Sequence, residues 1–171
     1  MNIEQNSQRL DFGAKIELIE VDGSVVGEAP YRITPNVKND GSPVMFQQMA
    51  FIPVAMSTEG FMFDGTGGLP RPTITIADTN AVLLRMIIER DGMAGFTVRR
   101  WITEKEYLDG GSIGNGSCYG PEIWSINRML EADGSYVKFE LAAIMDQRNT
   151  KFPDRLMFRN EFPGLGMNKI R

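Results

Sequence analysis

The pattern of apolar and polar residues is mostly that of β-strands. Thr and Ile alternate through residues 71–77, RPTITIA. Because neighbouring side chains in a strand point to opposite faces, Ile74 and Ile76 share one face and Thr73 and Thr75 share the other. This segment is the clearest predicted strand of the chain.

Further strands are predicted from β-branched and aromatic content between turn signals. Pro53 cannot donate to a ladder, so its segment is predicted to be an edge strand or a bulged strand. Residues 37–44, VKNDGSPV, are predicted to form a loop. The remaining predicted strands lie in residues 14–21, 31–36, 47–55, the start of 60–68, the start of 96–108, and a long hairpin over 122–145 that turns at Asp133-Gly134.

One helix is predicted over residues 80–90, with Asp78 or Thr79 as its N-cap and Gly92 just past its end. Its apolar residues form a broad arc. A short helix of this kind is expected to dock on a sheet or against a neighbouring chain.

Seven or eight strands and one helix predict a mainly β fold, a β-barrel or β-sandwich with a docked helix. The expected organisation is an N-terminal arm over residues 1–12, a β-barrel-like domain over 13–150, and an extended C-terminal arm over 151–171. At 171 residues the chain is long enough to bury a core without disulfide or metal support.

Composition excludes several kinds of chemistry. The chain has no histidine, which removes Ser-His-Asp and Cys-His nucleophile systems and every histidine-ligated metal site. Its one cysteine, Cys118, cannot form an internal disulfide. A net charge of −4 does not predict a surface for nucleic acid, and no signal peptide or membrane span is predicted. No catalytic residue, metal or cofactor is expected.

Three candidate sites are weak. Gly65, Gly67 and Gly68 precede a strand, whereas a phosphate loop precedes a helix, so a simple turn is favoured. The loop GNGSCYG, residues 114–120, lacks a base for Cys118 and is expected to be a flexible insertion. Glu104 and Glu106 would share one face of a strand, and a solvated face is the favoured interpretation.

Arg99-Arg100 is the only dense basic spot in the sequence. Two such arginines in a strand are more typical of a solvated rim than of a binding site. A glycan-binding module would instead present a platform of aromatic rings, which substitution of those residues would test. Its candidate residues are Trp101, Tyr107, Tyr119 and Trp124.

Three stretches, in order, are similar to segments of the minor tail protein L family of long, non-contractile-tailed bacteriophages. GLPRPTITIADTNAVLLRMI resembles the family's Arg-Pro-Thr strand and following helix. GFTVRRWITEKEYLDG resembles its Val-Arg-Arg strand, and YVKFELAAIMDQRNTKFPDRLM its Phe-Glu-Leu strand and Phe-Pro-x-Arg segment. The interface candidates are Arg71, Arg99, Arg100, Phe152, Pro153, Arg155 and Phe162.

The resemblance implies a virion protein of the tail tip, made in the host cytoplasm. Expected partners are the distal tail protein, the central tip or host-specificity protein and possibly the tape-measure protein, with copies in a homotrimeric ring. The family commonly continues into a cysteine-rich segment that looks like an iron–sulfur site, which needs four thiolates. That function is not carried over, so a short variant is expected whose arm, residues 161–171, docks on a neighbour.

Two alternatives belong to other classes. A small β-sandwich that binds glycans or a receptor would be a stable monomer with exposed aromatic residues. A carboxylate-dependent hydrolase would lose its activity when one carboxylate is replaced.

Overall fold

A computed structural model describes residues 14–24, 27, 29–62, 69–77, 82–89, 91–114 and 116–146. The two predicted arms, 1–12 and 151–171, lie outside these ranges. So do the three glycines of the predicted turn, Gly65, Gly67 and Gly68, and the predicted N-cap residues Asp78 and Thr79.

The described residues form nine strands and one α-helix. The strands are β1 (Lys15–Asp22), β2 (Tyr31–Thr34), β3 (Val44–Phe46), β4 (Met49–Pro53), β5 (Met56–Glu59), β6 (Thr73–Ala77), β7 (Thr97–Glu104), β8 (Tyr119–Asp133) and β9 (Tyr136–Ala143). The helix, α1, is Val82–Glu89, and short 3-10 turns occupy Asp91–Met93, Lys105–Tyr107 and Ile144–Asp146.

All nine strands belong to one mixed sheet in the order β3-β4-β2-β1-β7-β8-β9-β6-β5. Every pairing is antiparallel except that of β2 with β4, which is parallel. The mainly β character predicted from the sequence is confirmed. The strand order is that of an open sheet.

Strands β4 and β5 lie at opposite ends of the sheet order but are consecutive in the chain. Only Val54 and Ala55 separate them. The Val54 N–H donates to the Thr34 carbonyl at 2.9 Å, and the Ala77 N–H donates to the Ala55 carbonyl at 2.8 Å. The segment 49–59 therefore bonds to β2 with its first half and to β6 with its second.

The main apolar cluster, called here the inner cluster, unites residues from both halves of the sheet. Ile19 and Ile33 contribute from one half, and Ile74 and Leu141 from the other. Ile87 of α1 joins the same cluster and is 7% exposed. Its remaining buried members are Val21, Ile76, Met93, Phe96, Val98, Trp124, Ile126, Val137 and Phe139.

A smaller cluster, called here the outer cluster, lies on the opposite face of β1 and β7. Leu18 and Trp101 are register partners in these strands and both belong to it. It also contains Phe46 of β3 and Phe51 of β4, which are fully buried. The rings of Phe51 and Trp101 make a T-shaped contact with their centroids 6.1 Å apart. Its other buried members are Ile16, Val44 and Leu108.

Several predicted elements are confirmed with shifted bounds. Ile74 and Ile76 are buried on one face of β6 while the flanking threonines are half-buried. The hairpin of β8 and β9 turns after Asp133 as predicted, although β8 begins earlier, at Tyr119. Gly92 has φ of 80°, a conformation that glycine adopts readily, just beyond the helix.

Two expectations about the first half of the sheet were wrong. Val44 was assigned to a loop but begins β3, because Phe46 and Val44 complete the outer cluster. The short strand expected after Gly60 instead precedes it, as β5. Gly60 has φ of 79° and lies against Pro72, whose Cα would be 3.3 Å from an added Cβ, so both its backbone conformation and this close approach favour glycine.

Candidate assembly interface

Arg99 and Arg100 are adjacent in β7, and strand geometry sends them to opposite faces of the sheet. Arg99 lies on the outer face, and its side chain is 33% exposed. Arg100 lies on the inner face, and its side chain is only 14% exposed. The sequence interpretation of a solvated arginine rim is therefore wrong for Arg100, because that residue faces the interior.

On the outer face, Arg99 belongs to a group of two acids and two bases. Its Nη1 contacts Glu20 at 2.7 Å and Asp22 at 2.8 Å, and Arg32 binds the other Glu20 oxygen at 2.6 Å. The hydrogen bond from the Ser24 backbone, followed by the Ser24 hydroxyl and Arg99, lowers the pKa of Asp22. The group is electrically balanced at neutral pH and braces β1, β2 and β7.

On the inner face, Arg100 lies beside Phe61, which packs against the inner cluster. It binds Glu17 through Nε and Glu122 through Nη1, the latter at 2.9 Å. Its guanidinium lies 4.2 Å from the centroid of the Phe61 ring, a cation–π distance. Burial alone would lower the pKa of Arg100, but the hydrogen bonds to its two carboxylates raise it.

The Thr58 hydroxyl of β5 donates to the Glu17 carboxylate of β1, with distances of 3.0 and 3.1 Å to its two oxygens. β1 and β5 are not neighbours in the sheet order. This bond therefore ties together two parts of the sheet that share no ladder.

Arg71, a third predicted interface residue, lies two positions before the start of β6, and its side chain is half exposed. It binds Asp146 at 2.9 Å and approaches Glu140 at 3.9 Å. Glu140 also accepts from Arg128 at 2.9 Å and from Asn127 at 2.6 Å. The hydrogen bond from Arg128 is the largest cause of the lowered pKa of Glu140. The three described arginine candidates thus form separate clusters.

The other four interface candidates, Phe152, Pro153, Arg155 and Phe162, lie outside the described residues. The carboxylate pair does not form as expected, since Glu106 lies in the 3-10 turn and only Glu104 ends the strand. Glu104 is buried and Glu106 is exposed, so the two do not share a solvated strand face.

The four aromatic residues proposed as a glycan platform do not form one. Trp101, Tyr107 and Trp124 are at most 7% exposed, and Tyr119 alone is exposed, at 37%. Trp101 packs in the outer cluster and Trp124 in the inner one. None of these three buried rings presents a face to a sugar.

Cys118 is half-buried beside the outer cluster, and burial raises the pKa of its thiol. A raised pKa disfavours the thiolate that nucleophilic chemistry requires. Within the described ranges, no group of three acidic or cysteine side chains is placed to hold a metal ion. Among the same residues, no helix has the length and apolar content to cross a bilayer.

A groove at one end of the sheet was not anticipated from the sequence. It has a volume of about 530 Å³ and is lined mainly by apolar atoms. Lys38 and Lys105 lie at its rim together with Asp40. The apolar lining includes Ile16, Val37, Val44 and Leu108.

At the other end, β8 extends beyond its partner β7. At this end, the ladder between β7 and β8 stops at the pair of Thr97 with Ser125. The ladder between β8 and β9 continues as far as Asp133. Among the described strands, none pairs with the second edge of residues 127–133. Met129 is 37% exposed and Leu130 is 42% exposed. This segment with its turn is called here the hairpin tip.

Comparison with known proteins assigns the chain to a family. A family model described as phage minor tail protein L matches residues 24–164. The chain belongs to the phage minor tail protein L family. The match begins just after β1 and includes β2 to β9, so it spans most of the described sheet. The resemblance seen in the sequence is confirmed.

A curated relative in this minor tail protein L family is the tail tip protein L of Escherichia phage lambda. It is 27% identical over 158 residues, which cover 89% of this chain and 68% of the lambda protein. As a phage minor tail protein, the chain is a structural component of a virion tail and contacts other tail proteins.

Sequence reasoning found the arginines of this tail protein but missed the groove and the hairpin tip. The groove joins residues from β1, β3 and the turn after β7, which are far apart in the chain. The hairpin itself was predicted, yet its open edge depends on where β7 stops pairing. Two β-bulges, near Asn127 and Leu130, interrupt the ladder of β8 with β9 in this segment.

Proposed function

We propose that the chain is a structural, non-enzymatic component of the phage tail tip, part of the hub or baseplate ring between the distal tail ring and the central tip protein. The observation that carries this is the family match over residues 24–164. The lambda relative is named tail tip protein L, which supports this position within the tail.

The partners in this proposal are the distal tail protein, the central tip or host-specificity protein and possibly the tape-measure protein. Copies of the chain form a homotrimeric ring where the sixfold tube gives way to a threefold tip. Rings of this kind repeat one heterologous contact around an axis, so each copy needs two different surfaces.

The proposed architecture is a barrel-like shell of the tail-tube or hub type. Its support is the segment 49–59, which bonds to β2 on one side and to β6 on the other. The inner cluster has members on both halves of the sheet, and Thr58 reaches Glu17 across it. A shell closed in this way has few exposed edges, which suits a rigid wall element.

The charge arrangement also fits a wall element. Arg99, Arg100 and Arg71 are each held by carboxylates of the same chain. Ion pairs between arginines and carboxylates on different strands fix those strands relative to one another. They also leave no net charge at the contact. Such arginines are poorly placed to attract phosphates, so a structural role needs no nucleic-acid contact.

The test is quantitative mass spectrometry of gradient-purified phage particles, with this chain counted against the tail-tube subunit. We expect three copies per particle, and loss of the chain from particles that lack the central tip protein or the distal tail protein. A chain that is absent from purified particles would overturn the proposal, and six copies would replace the trimeric ring by a hexameric one.

A further inference from the structure

We propose that the hairpin tip of one copy docks in the groove of the next copy, so that this pair of surfaces makes a head-to-tail contact. The inference deepens the ring proposed above and relies on the proposed function for its biological setting. The contact itself is a property of the purified chain and is testable without a tail.

The first argument is the placement of the two surfaces. In the ladder of β1 with β7, Lys15 pairs with Glu104 at one end and Asp22 pairs with Thr97 at the other. The groove lies at the first end, because Ile16 and Lys105 line it. The hairpin tip extends β8 past the second end, beyond the pair of Thr97 with Ser125.

The two ends are roughly 23 Å apart, since a strand advances about 3.3 Å per residue. A hairpin tip therefore cannot reach the groove of its own chain. Surfaces that complement each other and lie at opposite ends of one molecule generate a heterologous contact between copies, which closes into a ring when the rotation permits.

The second argument is charge. Arg128, at the base of the hairpin tip, is paired with Glu140 at 2.9 Å. Beyond it the tip carries Glu131 and Asp133 with Lys138 opposite Glu131 in the ladder, which leaves its far end acidic. The groove rim carries Lys38 and Lys105 against Asp40, which leaves it basic. Opposite charges at the rim of a contact orient the partners and speed their encounter.

The third argument is shape and polarity. Met129 and Leu130 are adjacent apolar residues of the hairpin tip, and both are exposed. Val37, on the groove, is 70% exposed. A volume of about 530 Å³ accommodates two such side chains, and pockets of about 300–1,000 Å³ bury most of a small ligand. Docking would cover apolar surface on both copies.

The open edge adds backbone donors and acceptors to this contact. Residues 127–133 are bonded to β9 on one side, and no described strand occupies the other. An exposed edge of this kind is ready to accept backbone hydrogen bonds from a second chain. The groove wall includes Val44 of β3, which is itself the outermost strand of the sheet order.

The experiment is sedimentation velocity on the purified full chain over a range of concentrations, with four charge variants. The tip variant is E131K/D133K, and the groove variant is K38E/K105E. The swap variant combines all four changes, so that the charges again oppose each other. The control, E59K/E89K, reverses two exposed acids away from both surfaces and changes the net charge by the same amount as the tip variant.

We expect the wild-type chain and the control to self-associate alike. The tip and groove variants should each associate at least about tenfold more weakly, since each replaces attraction by repulsion at two positions. The swap variant, in which every contact again joins opposite charges, should recover most of the wild-type association. Circular dichroism should show the same fold for all five proteins.

Three results would overturn the contact: a wild-type chain that stays monomeric, tip and groove variants that associate like the wild type, or a swap variant that fails to recover. If charge reversal proves to unfold the tip, the variant M129S/L130S tests the same surface by its apolar residues. Failure of the proposed function is distinct, since it appears as absence of the chain from purified particles.

Discussion

The inner and outer clusters occupy opposite faces of the same two strands, yet they are assembled differently. The inner cluster collects side chains from six strands and from α1, so each member depends on the whole sheet. The outer cluster is a local layer: β3, β4 and the segment after β7 fold over Leu18 and Trp101. The inner cluster should therefore set global stability, and the outer one should open separately.

The largest effect is expected in the inner cluster. Phe139→Ala removes a ring that is 2% exposed and should lower the free energy of unfolding by about 3–5 kcal/mol. Thermal unfolding followed by circular dichroism should show one cooperative transition with its midpoint lowered by roughly 10 °C or more. A midpoint unchanged within a few degrees would contradict the view that this cluster supports the entire sheet.

The matched change in the outer cluster is Phe51→Ala, which removes a ring with no exposed surface. We expect a smaller cost, about 2–3 kcal/mol, because the covering strands are short and can settle into the space. Hydrogen exchange should rise in residues 44–51 and 105–114 while β8 and β9 stay protected. Equal acceleration in all strands would show that the two clusters unfold as one.

The two adjacent arginines extend the comparison to charge. Arg100→Ala leaves the largely buried Glu17 without its ion-pair partner and should cost about 2 kcal/mol. Arg99→Ala should cost about 0.5–1 kcal/mol, since Arg32 still binds Glu20 and the site is more exposed. Urea denaturation of both variants measures the difference. A larger cost for Arg99 would contradict the view that the more buried ion pair of Arg100 contributes more to stability.

The smallest effect is a pH dependence. Arg128 helps to hold the pKa of Glu140 below its ordinary value of 4.5. A carboxyl with a depressed folded-state pKa adds stability above the unfolded pKa, and that stability is lost as pH falls through the folded value. The free energy of unfolding should therefore fall below about pH 4.5, and less steeply in Arg128→Ala. Identical slopes in wild type and variant would reject this pairing.

The sequence predicted the parts of the fold in which local pattern and final burial agree. Ile74 and Ile76 alternate with threonines because β6 has one buried face, and the Asp133-Gly134 turn fixes the hairpin. β1 shows no such alternation, since Ile16 and Leu18 face the outer cluster while Ile19 and Val21 face the inner one. A strand that is buried on both faces loses the period of two.

The candidate site was less predictable because it depends on distant residues. A charge in a strand looks solvated in sequence, but Arg100 points inward only because Glu17 and Glu122 meet it there. Val44 was assigned to a loop because glycine and proline precede it, and its burial depends on Phe51. The groove and the open edge arise from strand register, which local sequence does not encode.

The long separation between β1 and β7 also governs the order in which a newly made chain is completed. Glu20 and Arg99 are in contact but lie 79 residues apart in sequence. At a translation rate of about 5–20 residues per second, roughly 4–16 s pass between synthesis of Glu20 in β1 and of Arg99 in β7. During that time β2, β4 and β3 can assemble on one edge of β1, and its other edge is open. The charges of Lys15, Glu17, Glu20 and Asp22 along this strand oppose aggregation at the open edge.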